Sequence, residues 1–258
     1  MIYNTKIEKS IEITPTKYLF IDSRMRNVEK ETLKNLGYEL ALIPKNARVY
    51  EEVSSHTDIF IANINGKLVI EPTLYKFLKE ENEDFFGKVK ENIICGKSLV
   101  DKKYPLDIAY NVCFIGKNAI HNFKYTDENI QELIEKEDLN KINISQGYSN
   151  CAIAVIDENS AIVEDKKIAE VLRKNNIEVL EIERENTINL LDVNGTYSSM
   201  KGFIGGTISK IGKNVVIFGD LNYFKNSNKI REFILKKDLK IIDFKNLDLI
   251  DYGGVIEI

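Results

Sequence analysis

The chain has 258 residues, 43% of them hydrophobic and 29% charged, a globular balance that excludes a disordered or collagen-like chain. Lys+Arg 36 against Asp+Glu 40 leave a formal charge of -4, so no summed positive field favours nucleic acid or an anionic membrane as a partner. Three cysteines are too few and too scattered for a disulfide framework, and no apolar run approaches the roughly 20 residues of a membrane span.

After an extension over 1–16, which lacks the apolar core of a leader peptide, KYLFID from Lys17 to Asp22 reads as a strand of apolar residues running into an acidic one. A helix is predicted from Val28 and a second strand in YELALIP. From Asp58 the pattern is a strand (DIFIANI), a tight turn at Asn65-Gly66, a strand ending at Glu71, a helix from Thr73 and a strand in ENIICG. The order returns from Asp107: DIAYNVCFI, a turn around Gly116, NAIHN ending at Asn122, a helix from Thr126 and a strand in NKINIS. In that helix Ile130, Leu133 and Ile134 share one face. A fourth passage starts at Cys151 with CAIAVI, turns at Asp157-Glu158-Asn159, and runs to Asp165, a helix from Lys166 and IEVLEI. A fifth starts with FIGGTISKI, turns at Gly212, and runs to Asp220, a helix from Asn228 and LKIIDF. The closing strand, YGGVIEI, has no hairpin partner of its own, and KYLFID has no strand before it.

The period averages about 50 residues, which marks a repeat architecture rather than two domains. The expected fold is an α/β five-bladed propeller of ββαβ repeats in a single domain, with repeats at about 17–56, 57–106, 107–149, 150–200 and 201–258. Pairing of 17–22 with 252–258 closes the ring and removes an exposed sheet edge.

This pattern, over about Lys17 to Ile258, resembles the penteins, the five-bladed propeller fold of arginine deiminases, agmatine deiminases, dimethylargininases and amidinotransferases. The wording KYLFIDSR, HTDIF, QGYSNC and YGGVIEI is similar to an uncharacterised bacterial branch of that superfamily. In the family's enzymes a cysteine attacks the guanidinium carbon, a histidine moves protons and carboxylates hold the planar cation. The family's cysteine follows a Gly-Gly pair in the last blade; here that pair is Gly253-Gly254, and Glu257 occupies the matching place. The family's His-x-Asp opens an inner strand two blades before the nucleophile. His56-Thr57-Asp58 matches that pattern, and Cys151 opens the inner strand two blades later.

The resemblance therefore implies a site rotated around the ring, with Cys151 as nucleophile, His56 as general acid and base, and Asp58 as orienting carboxylate. Asp22, Arg24, Asp107, Asn150, Gly206 and Gly254 are the candidate substrate-binding residues. Asp22, Glu71, Asp165 and Asp220 occupy equivalent places; they either cap helices or form a carboxylate ring. Asp22 is set apart by Arg24, a pair suited to an amino-acid head group. The glycine pairs 205–206 and 253–254 read as strand positions of close backbone approach. Cys95 and Cys113 are expected in the core and His121 on the surface. The long connection Glu183–Met200 is a candidate gate.

No phosphate loop or zinc spacing occurs, so neither a metal nor a cofactor is expected. The expected partner is a small cationic molecule in a cytoplasmic setting, with an oligomeric state the sequence does not define. The alternative is a non-catalytic binding protein on the same fold, because fold alone does not decide function.

Overall fold

The computed structural model describes residues 17–193 and 199–258. The extension over 1–16, with its expected lack of a leader, lies outside the described residues, as do 194–198 of the candidate gate.

In chain order the elements are β1 (Lys17–Asp22), α1 (Asn27–Asn35) and β2 (Tyr38–Ile43), then α2 (Thr57–Phe60), β3 (Ile61–Ile64), β4 (Lys67–Ile70), α3 (Pro72–Glu81), α4 (Glu83–Val89) and β5 (Ile93–Cys95). Next come β6 (Cys113–Ile115), β7 (Asn118–His121), α5 (Glu128–Lys136) and β8 (Asn140–Asn143), followed by α6 (Ser149–Ala152), β9 (Ile153–Asp157), β10 (Ser160–Val163), α7 (Lys166–Lys174) and β11 (Glu178–Glu181). The last are α8 (Ile204–Thr207), β12 (Ile208–Ile211), β13 (Asn214–Ile217), α9 (Ser227–Leu235), β14 (Lys240–Asp243) and β15 (Ile256–Glu257).

These strands form five three-stranded sheets. In four of them the first strand runs antiparallel to the second across a hairpin, and the second runs parallel to the third across a helix. The remaining sheet has the order β15-β1-β2, with Leu19 opposite Glu257 and Phe20 opposite Ile256. At the β3–β4 hairpin Asn65 and Gly66 have φ of 52° and 82°. Both central residues are thus left-handed, as a turn matching the strand twist requires.

Helices α3, α5 and α7 start where acidic side chains satisfy free backbone N–H groups. Glu71 accepts from Thr73 N at 2.7 Å and Leu74 N at 3.0 Å, Asp127 from Asn129 N at 2.9 Å, and Asp165 from Lys167 N at 2.7 Å and Ile168 N at 3.0 Å. Asp220 caps a short turn at Asn222 N, 2.9 Å away. In the third sheet the cap is Asp127, not Asn122. Each helix then buries an apolar stripe, such as Ile168, Ala169 and Leu172 of α7. Burying one such Ile or Leu contributes roughly 1.5–3 kcal/mol. Replacing Glu71 by alanine is expected to lower unfolding free energy by about 1 kcal/mol in a denaturant titration, the usual loss for a helix cap.

Several expectations are corrected. The inner strands do not begin at Asp58, Cys151 or Phe203; one-turn helices α2, α6 and α8 precede them, and Gly205-Gly206 lie in α8 rather than in a strand. Four-residue apolar runs have no periodicity that separates a helical turn from a strand. Gly253 and Gly254 have φ of 69° and 70° and precede β15. His121 is buried, not on the surface; its ring bonds Thr126 Oγ1 at 2.6 Å and Gly147 O at 2.9 Å. Burial holds it neutral, with its pKa lowered to about 4. Cys113 is buried, whereas Cys95 is only partly so. Among the described residues no helix is long and apolar enough to cross a membrane.

Candidate functional site

The three one-turn helices meet two further segments, Asn111 ahead of β6 and Asp251–Gly254 ahead of β15. Glycine permits their approach. A Cβ on Gly205 would overlap the carbonyl oxygen of Asn150 and lie 2.6 Å from that of Cys151. One on Gly206 would overlap Asp251 Oδ1, and one on Gly253 would lie 2.6 Å from both Asp58 Oδ1 and His56 Cβ. Close backbone approach therefore places chemistry from distant parts of the chain in one buried cluster.

Within it the Cys151 thiol donates to Asp58 Oδ2 at 2.8 Å, and Asn150 Nδ2 donates to the same oxygen at 3.2 Å. Asn111 Nδ2 lies 3.3 Å from Cys151 Sγ and 3.3 Å from Asp58 O. Its Oδ1 accepts from the backbone N–H of Asn150 at 2.8 Å and of Cys151 at 3.3 Å. His56 Nδ1 stands 3.8 Å from Asp251 Oδ1. Asp251 is anchored by Gly253 N on Oδ1 and Phe203 N on Oδ2, both at 2.8 Å. Both ring nitrogens of His56 and Asp58 Oδ1 are buried without a hydrogen-bond partner. Such orphaned polar atoms are costly in a finished core and are common where a ligand or water completes the site.

Burial dominates the electrostatics. It raises Asp58 to about 6, against the hydrogen bonds from Cys151, Asn150 and Asn111. It pushes the Cys151 thiol well up, and the Asp58 and Asp251 charges push it further, so the resting sulfur is a thiol. It lowers His56, which stays neutral despite Asp251, and it raises Asp251, with the Asp58 charge adding to the rise and hydrogen bonds from Gly253 N and Phe203 N opposing it. Asn111 Nδ2 alone favours the thiolate, and burial outweighs it until a cation arrives.

Cys151, Asp58, His56, Asn150 and Gly206 thus lie in or against one cluster, and Gly254 lies beside Gly205, with Gly205 O 3.4 Å from where its Cβ would be. The other candidates stand apart. The five N–H groups of Arg24 are taken by Asp22 Oδ1 and Oδ2, Asp192 Oδ2 and the carbonyls of Glu51 and Glu52, at 2.7–3.1 Å. This pair has no donor left for a carboxylate, although its charges act on His56. Asp107 is bonded to the Tyr148 hydroxyl rather than to any member of the cluster. Glu71, Asp165 and Asp220 cap, as described above. The sequence reading missed Asn111 and Asp251. Asn111 had a signal, since it stands two residues ahead of its inner strand, much as Asp58 and Asn150 stand three ahead of theirs. Asp251 had none beyond its nearness to Gly253.

A cavity of about 300 Å³ adjoins the cluster. Its walls come from the first strands of four sheets and from β15, among them Ile61, Phe114, Val155, Ile208 and Val255, and its floor includes Asn150, Gly205 and Gly254. Among the described residues no group of three or more His, Cys, Asp or Glu is placed to hold a metal ion.

Solved structures share this fold, three of them as follows. DDAH from Pseudomonas aeruginosa, a cysteine-to-serine mutant complexed with citrulline, matches with a TM-score of 0.56 at 10% identity, covering 90% of this chain and 92% of that one. Agmatine deiminase from C. jejuni matches with a TM-score of 0.52 at 13% identity, covering 91% of each chain. An inosamine-phosphate amidinotransferase from Streptomyces griseus matches with a TM-score of 0.52 at 9% identity, covering 88% and 75%. The five sheets and their likeness to these structures define an α/β protein of the pentein fold. Within it the chain belongs to DUF6873, a family of unknown function whose model matches residues 20–256. No curated protein matches the sequence.

Proposed function

We propose that the protein is a cysteine-dependent hydrolase of guanidino or amidino groups, acting on a small cationic substrate. Its five sheets stand as blades of one propeller domain, closed by β15 against β1. The observation that carries the reading is the 2.8 Å contact of the Cys151 thiol with Asp58, beside a neutral His56 with two free nitrogens. Nucleophile, base and proton carrier lie together, with carboxylates that no Lys or Arg among the described residues neutralises. The likeness to structures complexed with citrulline and other small ligands supports the substrate class, and the three free thiols suit a reducing, cytoplasmic setting.

A guanidinium held by Asp58 and Asp251 lowers the pKa of the neighbouring thiol, because an adjacent cation favours the charged form. The thiol proton passes to Asp58, sulfur bonds to the guanidinium carbon, and the C–N bond breaks as the leaving amine takes the proton from Asp58. Water then attacks the resulting thiouronium carbon while His56 accepts its proton. The C–S bond breaks as His56 returns its proton to the sulfur to regenerate the thiol, and the hydroxyl proton released as the ureido carbonyl forms passes to the freed amine, which leaves as an ammonium ion. This chemistry needs no metal or cofactor. Arginine, agmatine and methylated arginines are the substrates to assay, with ureido release as the readout. Turnover is expected in the wild-type protein and none in Cys151→Ser, which still binds. The raised thiol pKa favours a second reading, a non-catalytic binder; binding to both proteins without turnover selects it. The absence of binding by any guanidinium compound overturns both.

A further inference from the structure

We propose that ligand reaches Cys151 from the hairpin ends of the inner strands, through the 300 Å³ cavity, and that the side chain of Asn150 is the gate between cavity and cluster. The ligand's class rests on the proposed function; the route does not. The cavity is at the small end of the roughly 300–1,000 Å³ typical of ligand sites. Its walls combine apolar Ile61, Val112, Ile153, Val155, Ile208 and Val255, which suit an unbranched alkyl chain, with Asn63, Ser209, Lys210 and Glu257, and its floor carries the polar side chain of Asn150. Two floor residues, Gly205 and Gly254, have no side chain. Asn150 is the floor residue that bonds Asp58, and it is half-buried where Asp58 and Cys151 are buried.

On the opposite face the Asp22–Arg24 pair is closed to a ligand. Asp22 is fully buried there, and Arg24 is spent on Asp22, Asp192 and the carbonyls of Glu51 and Glu52. The backbone of Asn150 is pinned by Asn111 Oδ1 at 2.8 Å, whereas its side chain is held to Asp58 by one 3.2 Å bond. Rotation of the side chain thus leaves α6 in place. An amidinium arriving from the cavity replaces the lost neutral donor on Asp58 with charge-assisted ones, which are about twice as strong. Opening is thereby linked to a ligand with a cationic planar head on an apolar stem, and a neutral amide of the same shape gives no such exchange.

The test is the alkylation rate of Cys151 by iodoacetamide at fixed alkaline pH, resolved by site with mass spectrometry. Asn150→Ala is expected to raise it at least tenfold, and adding Val155→Trp, which fills the cavity, to return it to the wild-type rate. Buried Cys113 is the internal control and stays unlabelled if the fold is intact. Should Asn150→Ala expose Cys113, the milder Asn150→Ser takes its place. If both variants expose Cys113, or if neither accelerates Cys151, Asn150 is a structural member and the gate is overturned. Acceleration that Val155→Trp does not reverse overturns the route. A substrate assay that fails while the alkylation results hold removes the hydrolase reading and leaves the route standing.

Discussion

Asp58→Asn is expected to yield a protein that is more stable than the wild type at neutral pH and unable to hydrolyse an amidine. The folded-state pKa of Asp58 is raised from 3.8 to about 6 by burial. Between these values the folded protein holds a proton that the unfolded chain has lost, so stability falls as pH rises through this window and levels off above it. A shift of about two units, at about 1.4 kcal/mol each, amounts to roughly 3 kcal/mol. Asparagine is isosteric and neutral, and it escapes this cost. Denaturant midpoints between pH 4 and 7 are thus expected to fall in the wild type by more than in Asp58→Asn, with the variant ahead at pH 7. The same change removes the acceptor for the thiol proton, and loss of a general base lowers rates on the order of 10²–10⁴-fold. A variant less stable at pH 7, or one with wild-type turnover, contradicts this account of the site.

The second large effect concerns Gly205. A methyl group there meets three backbone carbonyls, those of Asn150, Cys151 and Ile153, the last at 2.7 Å. Side chains can rotate away from an intruder, but these carbonyls belong to α6 and the start of β9 and move only with the site. Gly205→Ala is expected to cost at least about 3 kcal/mol, at the upper end of overpacking. For a chain of this length that lowers Tm by about 6 °C. Gly87 is the control: it lies in α4 with nothing within 4 Å of an added Cβ. Gly87→Ala is therefore expected to stabilise by up to about 1 kcal/mol through helix propensity. Equal melting of the two variants would refute close backbone approach as the organising feature of the site.

The ββαβ order was legible because two independent periodicities coincide in it. Turn residues such as Asn65-Gly66 mark the hairpins, and stripes such as Ile130, Leu133 and Ile134 mark the helices between parallel strands. The site was legible only as positions. Cys151 and Asp58 were both placed ahead of inner strands, but a thiol–carboxylate bond across 93 residues depends on how the sheets are set together. The helical turns were hidden because Thr57–Phe60 is as apolar and β-branched as a strand. Asp22-Arg24 looked like an amino-acid receptor because its partners, the carbonyls of Glu51 and Glu52 and the carboxylate of Asp192, are remote in sequence or are backbone groups. His121 looked exposed because nothing local announces that Thr126 and Gly147 will fold over it. The direction of the Cys151 shift was equally hidden, since it follows from burial and two remote carboxylates.

The sheet built from β15, β1 and β2 has a kinetic consequence. Tyr18 and Ile258 exchange both backbone hydrogen bonds at 3.0 Å, and Lys17 bonds Glu257 across 240 residues. Closing a loop of that length costs about 5 kcal/mol of chain entropy, a sum that grows only logarithmically with length. The delay matters more than the cost. During synthesis the other four sheets can form in order as their residues emerge, while β1 waits with an unpaired edge until β15 arrives. The nascent chain therefore carries an association-prone sheet edge at β1 until β15 is made, and that distant strand is the one that silences it.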